Sequence, residues 1–142
     1  MNKDLKKKAT RAIGHFALNV NENNEGHKPV PTSRLMLDLS TDQFHVAGFA
    51  DKNLDSQGAD IYISGKIEAN KTYLFESEGA RGNYNPAKFE GSSWSSRSGS
   101  GEIKIDEIDW ENKTAKGSFF FTATSQDGSQ SAEINGNFNL QQ

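Results

Sequence analysis

Apolar side chains recur at every second position along most of this chain, and runs with a helical period are almost absent. Residues spaced by two lie on one face of a β-strand, because successive side chains point to opposite faces. The clearest run is AKGSFFFTATS, in which Phe119, Phe121 and Ala123 share one face. Short polar breaks separate such runs, and the pair Asp127–Gly128 is typical of a hairpin turn. The sequence therefore predicts consecutive antiparallel strands joined by short turns.

The expected fold class is all-β, and the composition agrees with it. Only 33% of the 142 residues are hydrophobic, as expected when half of each strand faces water. About nine strands at this spacing favour an antiparallel β-sandwich. The alternative is a small up-and-down or lipocalin-like barrel, whose cavity the nine Phe residues would line. We expect residues 1–14 to form a flexible or short helical N-terminal segment and residues 15–142 to form a single all-β domain.

The parity of apolar residues changes once within a strand. In GEIKIDEIDW, Ile103 and Ile105 share a face, whereas Ile108 and Trp110 have the opposite parity. A one-residue slip turns every later side chain to the other face, which predicts a β-bulge near Asp106 or Glu107. Six side chains are expected to be buried in one core: Ile103, Ile105, Phe119, Phe121, Ile134 and Phe138.

The segment FEGSSWSSRSGSGEIKI has the Ser and Gly content of a flexible linker, yet it contains Trp94 and Arg97. A linker would separate two complete units, but the chain beyond this segment supplies only about three strands, too few for a two-layer core. We therefore expect a loop or an irregular edge strand within one domain.

The segment from Gly101 to Leu140 resembles the end of a family of small all-β proteins from Bacteroidota, usually secreted lipoproteins of uncharacterised function. The shared features are an Ile-x-Ile strand, a turn with Asn and Lys, Gly-x-Phe-x-Phe-x-Ala, an Asp-Gly turn and a final Asn-Gly-x-Phe. The sequence as written contains no Cys, so we expect the chain to differ from that family in its leader and lipid anchor. The resemblance implies a fold and no activity.

Charge and composition exclude several classes of function. A net charge of -3 argues against a nucleic-acid partner, whose phosphates require neutralisation. No apolar run approaches the roughly 20 residues of a membrane helix. The chain has no Cys, and its basic start, MNKDLKKKATRAIG, is not followed by the apolar segment of a signal peptide. We expect a cytoplasmic protein if the chain is native as written, and a periplasmic or cell-surface one if a leader was removed.

Catalytic signatures are not found. His15, His27 and His45 are far apart in the sequence, and His45 has the parity of an exposed strand position. No serine lies in a Gly-x-Ser-x-Gly elbow. The sequence therefore predicts a protein that is not an enzyme and that has no cofactor.

One loop has an incomplete calcium-site pattern. Asp51, Asn53 and Asp55 are spaced like the first ligands of a calcium loop, but Ser56 and Tyr62 occupy the positions of its sharp-turn Gly and bidentate Glu. A polar hairpin loop is the expected structure, and a calcium site is the alternative.

Binding is the function class that the sequence favours. Trp94 offers an apolar ring with one donor, and Arg97 offers a fork of donors; Tyr84 and Asn85 add to this candidate ligand-binding set. We expect a non-enzymatic module that binds a glycan, a peptide or a protein through surface loops. The alternatives are a structural or inhibitory protein that binds a toxin or phage factor, and a barrel that holds a small apolar ligand.

Overall fold

Eleven β-strands form from the alternating segments of the chain, in a computed structural model that describes residues 11–77 and 79–142. Within these residues there is no helix. The strands are β1 (Ile13–Glu22), β2 (Lys28–Val30), β3 (Arg34–Leu39), β4 (Gln43–Phe49), β5 (Gly58–Ser64), β6 (Lys71–Leu74), β7 (Ala80–Asn85), β8 (Trp94–Ser96), β9 (Glu102–Asp109), β10 (Thr114–Thr124) and β11 (Ser131–Gln141). The prediction of an all-β chain is confirmed. The expected N-terminal helical segment lies mostly outside the described residues, although Ile13 and Gly14 already belong to β1.

All of the strands belong to one hydrogen-bonded sheet with antiparallel pairing. The strand order is β2-β1-β11-β10-β8-β7-β5-β4-β3, and β9 pairs with both β10 and β6. The chain just before β1 returns to β3, because the amide of Ala12 donates to the carbonyl of Leu35 at 2.9 Å and Arg11 forms a bridge with Met36. The sheet therefore curls like a half-barrel, which is nearer to the barrel alternative than to two separate sheets.

Phenylalanine rings fill the concave side of the sheet. Phe119 lies at the centre, with ring centroids 5.5 Å from Phe16, 6.4 Å from Phe121 and 6.5 Å from Phe138. All six side chains that the sequence assigned to the core are buried there, so that prediction is confirmed. Because these rings contact one another, the interior supports the fold by burial of apolar surface.

The predicted β-bulge is present in β9. Ile105 is opposite Gly117, whereas Glu107 is opposite the preceding residue, Lys116, so Asp106 is the extra residue. The bulge explains the change of parity in the sequence. It allows Ile108 to pack against the same core as Ile105, although the two differ in parity.

The Ser- and Gly-rich segment is part of this sheet. Its strand β8 lies between β7 and β10, where Ser95 is opposite Asn83 and Ser96 is opposite Ala123. The strand is short because Gly99 and Gly101 follow within a few residues; Gly101 approaches the backbone of Phe120 too closely for any side chain. The segment thus joins two parts of one sheet, and the expectation of an edge strand is wrong.

Candidate functional site

The four residues predicted to bind a ligand do not form one exposed surface. Trp94 is only 5% exposed and packs edge-on against Tyr84, with ring centroids 5.7 Å apart. The two residues are cross-strand partners on the inner face of β7 and β8. Arg97 is exposed, and its amide donates to the carbonyl of Thr122 at 2.9 Å. The short strand β8 thus turns the indole ring of Trp94 into the core.

Tyr84 is fully buried and hydrogen-bonded at the end of the core. Its hydroxyl donates to Oε2 of Glu22 and accepts from Nε2 of Gln57 at 2.7 Å. Burial is the main cause that raises the pKa of Tyr84, followed by its hydrogen bond to Glu22. The hydroxyl of Tyr84 thus links the end of β7 to the end of β1.

Asn85 is also buried, and it fastens a loop to the sheet. Its Nδ2 donates to the carbonyls of Leu54 at 2.7 Å and Ser56 at 3.3 Å, while its Oδ1 accepts from Oγ of Ser93 at 2.6 Å. Both ends of the amide are therefore used within the protein.

The loop with the calcium-like spacing folds on itself. Oδ1 of Asp51 accepts from the amide of Lys52 at 2.6 Å, and Oδ1 of Asn53 accepts from the amide of Asp55 at 3.0 Å. Among the residues that the structure describes, no group of three or more His, Cys, Asp or Glu side chains is placed to hold a metal ion. This geometry is that of a polar turn, and the calcium site stays a prediction.

A wide groove lies at the end of the sheet where the loops after β1, β7 and β10 meet. We call it the loop-end groove; its volume is about 650 Å³, and its walls are residues 22–25, 86–92 and 125–130. The indole of Trp94 contributes to its lining, although most of that ring is buried. Trp94 is the residue of the predicted ligand-binding set that reaches this groove, and its role in binding stays a prediction.

Hydrogen bonds between the loops fix the walls of the loop-end groove. Oε2 of Glu22 accepts from the amide of Ala87 at 2.9 Å, which joins the first wall to the second. The amide of Asn23 donates to the carbonyl of Ser131 at 2.8 Å, and Oδ1 of Asn23 accepts from the amide of Ser131 at 3.0 Å, which joins the first wall to the β10–β11 hairpin. The groove is therefore already shaped in the free protein.

The lining of the loop-end groove is predominantly anionic. Four carboxylates face one ammonium group, that of Lys88; they belong to Glu22, Glu25, Glu90 and Asp127. Hydrogen bonds from the amide and hydroxyl of Ser129 and the hydroxyl of Ser125 lower the pKa of Asp127 to about 2. Its charge thus persists at physiological pH and at mildly acidic pH.

A second polar region lies on the outer face of β4, β5 and β7. His45 is 8% exposed, stacks on Tyr62 with centroids 4.0 Å apart, and places Nε2 at 3.4 Å from Oδ2 of Asp60. Burial, Asp60 and Asp38 together raise the pKa of Tyr62. The expectation that His45 is exposed is wrong. The parity of β4 does place His45 on the outer face, but Leu54, from the loop that Asn85 holds, lines the same small cleft.

Comparisons of the chain with protein-family models, curated protein sequences and solved structures give no match. The resemblance of the last third to a Bacteroidota family therefore stays a prediction. None of the described residues forms a helix that is long and apolar enough to cross a membrane.

Proposed function

We propose that this protein is a non-enzymatic binding module that recognises a positively charged segment of another protein in the loop-end groove. The observation that carries the proposal is the combination of a wide, pre-shaped groove with four carboxylates and only one ammonium group in its lining. Loops held by a rigid sheet are common positions for binding residues.

The groove matches both parts of a lysine or arginine side chain. Such a side chain lays its methylene groups on apolar surface and keeps its charge beside polar groups. The exposed Ala87 supplies apolar surface beside the buried Pro86 and Trp94, while Glu25 and Glu90 supply exposed negative charge. A nucleic acid would bring its phosphates against the same carboxylates, which disfavours that class of partner.

The same lining supports binding more than catalysis. Its hydroxyl groups come from Ser92 and Ser125, and among the described residues of the groove there is no histidine to activate either of them. The carboxyl of Asp127 has a lowered pKa, whereas a general acid needs a raised one.

The proposal can be tested with labelled decapeptides in fluorescence polarisation. The probe contains four lysines in a Gly/Ser background, and the comparison peptides carry four glutamates or no charge. We expect binding of the lysine peptide only, with affinity that falls as salt is raised from about 0.05 M to about 0.5 M. Equal binding of the glutamate peptide would contradict the proposal.

Two variants localise this binding. Glu25→Gln with Glu90→Gln removes two exposed charges of the groove, and we expect the lysine peptide to bind about five- to tenfold more weakly. The matched control is Glu107→Gln with Glu111→Gln, which removes two exposed charges near the start of β10, at the opposite end of that strand. The proposal fails if this control weakens binding as much as the first double variant does.

A further inference from the structure

The outer face of the sheet carries a cross-strand row of side chains that the loop-end groove does not use. His45 on β4 is opposite Tyr62 on β5, and Tyr62 is opposite Arg81 on β7. The row continues to Asp38 on β3, which is opposite His45. Their neighbours along the strands, such as Val46 and Ile61, point into the core, so this row lies on the outer face.

His45 holds the ring of Tyr62 in place. The two rings are nearly parallel, with an angle of 3° between their planes and 4.0 Å between their centroids. Since β5 lies between β4 and β7, the stacked His45 covers the side of Tyr62 that faces β4. The opposite face of the Tyr62 ring is thus turned towards Arg81 on β7.

Two clefts meet at Tyr62. The smaller one has a volume of about 200 Å³ and includes His45 and Asp60; the larger one has a volume of about 570 Å³ and includes Arg81 and Glu76. The ring of Tyr62 contributes to both, and it is the only aromatic side chain among the described residues of the larger cleft.

The polar groups around this ring include both donors and acceptors. Arg81 is exposed and forms no ion pair with any residue that the structure describes. Oε2 of Glu76 accepts from Oγ of Ser96 at 2.8 Å. Asn83, with its side-chain amide, lines both clefts. His45, nine-tenths buried, contacts Asp60 through Nε2 and lines the smaller cleft.

We propose that this outer-face site binds a neutral carbohydrate, with one sugar ring stacked on the face of Tyr62 that is turned away from His45. A sugar ring has a face of C–H groups that fits an aromatic ring and a rim of hydroxyls that both donate and accept hydrogen bonds. Arg81 and Asn83 supply donors, and Glu76 supplies acceptors. Since Asp38, Asp60 and Glu76 outnumber Arg81, an anionic sugar or a nucleotide fits this surface less well.

The test is an NMR titration of the ¹⁵N-labelled protein with neutral gluco-, galacto- and manno-configured trisaccharides at millimolar concentration. We expect at least one of them to shift the amide signals of residues 60–64 and 81–83. Uridine diphosphate serves as an anionic comparison ligand in the same titration. The absence of a saturable shift with all three trisaccharides would overturn the proposal, and so would a shift with uridine diphosphate but with none of the trisaccharides.

Substitutions at Tyr62 and Arg81 distinguish the contribution of ring stacking to sugar binding from that of hydrogen bonding. We expect Tyr62→Ala to weaken binding about tenfold or more, and Tyr62→Phe, which keeps the ring, to bind within about twofold of the wild type. Arg81→Gln alters an exposed side chain only, so it tests the site even if Tyr62→Ala does not fold, and we expect a loss of about threefold or more. The control is Phe120→Ala, which removes a 51% exposed ring on another part of the sheet. Loss of binding in Phe120→Ala would overturn the proposal, and so would unchanged affinity in Arg81→Gln.

Discussion

The indole ring of Trp94 meets the phenol ring of Tyr84 edge-on, at an angle of 69° between the ring planes. This pair closes the core beneath the loop-end groove, because the Tyr84 hydroxyl continues to Glu22 and the edge of Trp94 reaches the groove lining. One contact thus joins the apolar interior to the surface that we propose to bind a partner.

Replacement of Trp94 by alanine should destabilise the fold. The change removes a ring that is 95% buried in contact with Tyr84, and we expect a loss of about 3–5 kcal/mol in the free energy of unfolding. The measurement is urea denaturation followed by circular dichroism. Phe120→Ala is the control and should cost only about 1 kcal/mol, because half of that ring is already in water. Wild-type stability of Trp94→Ala would show that the indole is not part of the core.

Gly48 should not tolerate a side chain, because Phe16 occupies the space. A Cβ atom at Gly48 would lie 2.3 Å from Cδ1 of the Phe16 ring. We expect Gly48→Ala to cost about 1–3 kcal/mol by overpacking. Phe16→Leu shortens the opposing side chain, so the double variant should lose less than the sum of the two single losses. Strict additivity in thermal or chemical unfolding would contradict this contact.

The raised pKa of Tyr84 predicts a loss of stability at alkaline pH. The folded state holds the phenol proton more tightly than the unfolded state, whose pKa is near 10.0. Stability from this group is therefore fully present below pH 10 and falls as the pH rises beyond it. Tyr84→Phe cannot ionise there, so its unfolding free energy should fall less steeply between about pH 9.5 and pH 11. Parallel curves for the two proteins would contradict the assignment.

Local patterns were sufficient to predict the strands, the bulge at Asp106 and the burial of residues such as Phe119 and Phe138. These features depend on the two-residue period of strands and on turn residues close in sequence. The direction of a side chain within its own strand could therefore be read without a partner strand.

Features that depend on distant contacts could not be predicted in this way. His45 is on the outer face, as its parity indicates, but it is buried because Leu54 and its loop lie over the sheet. That loop is held by Asn85, thirty-one residues beyond Leu54. The sequence likewise does not reveal that β8 lies between β7 and β10, where Trp94 is opposite the buried Tyr84. Such burial is decided by strand order and by loop packing.

The central claim is that a cationic segment occupies the loop-end groove, and amide chemical-shift mapping tests it most directly. The ¹⁵N-labelled protein would be titrated with the four-lysine peptide. We predict the largest shifts at Ala87, whose amide donates to Glu22, and at Ser129, whose amide donates to Asp127. Shifts centred on Tyr62 and Arg81, or spread evenly over the exposed carboxylates of the sheet, would contradict the claim.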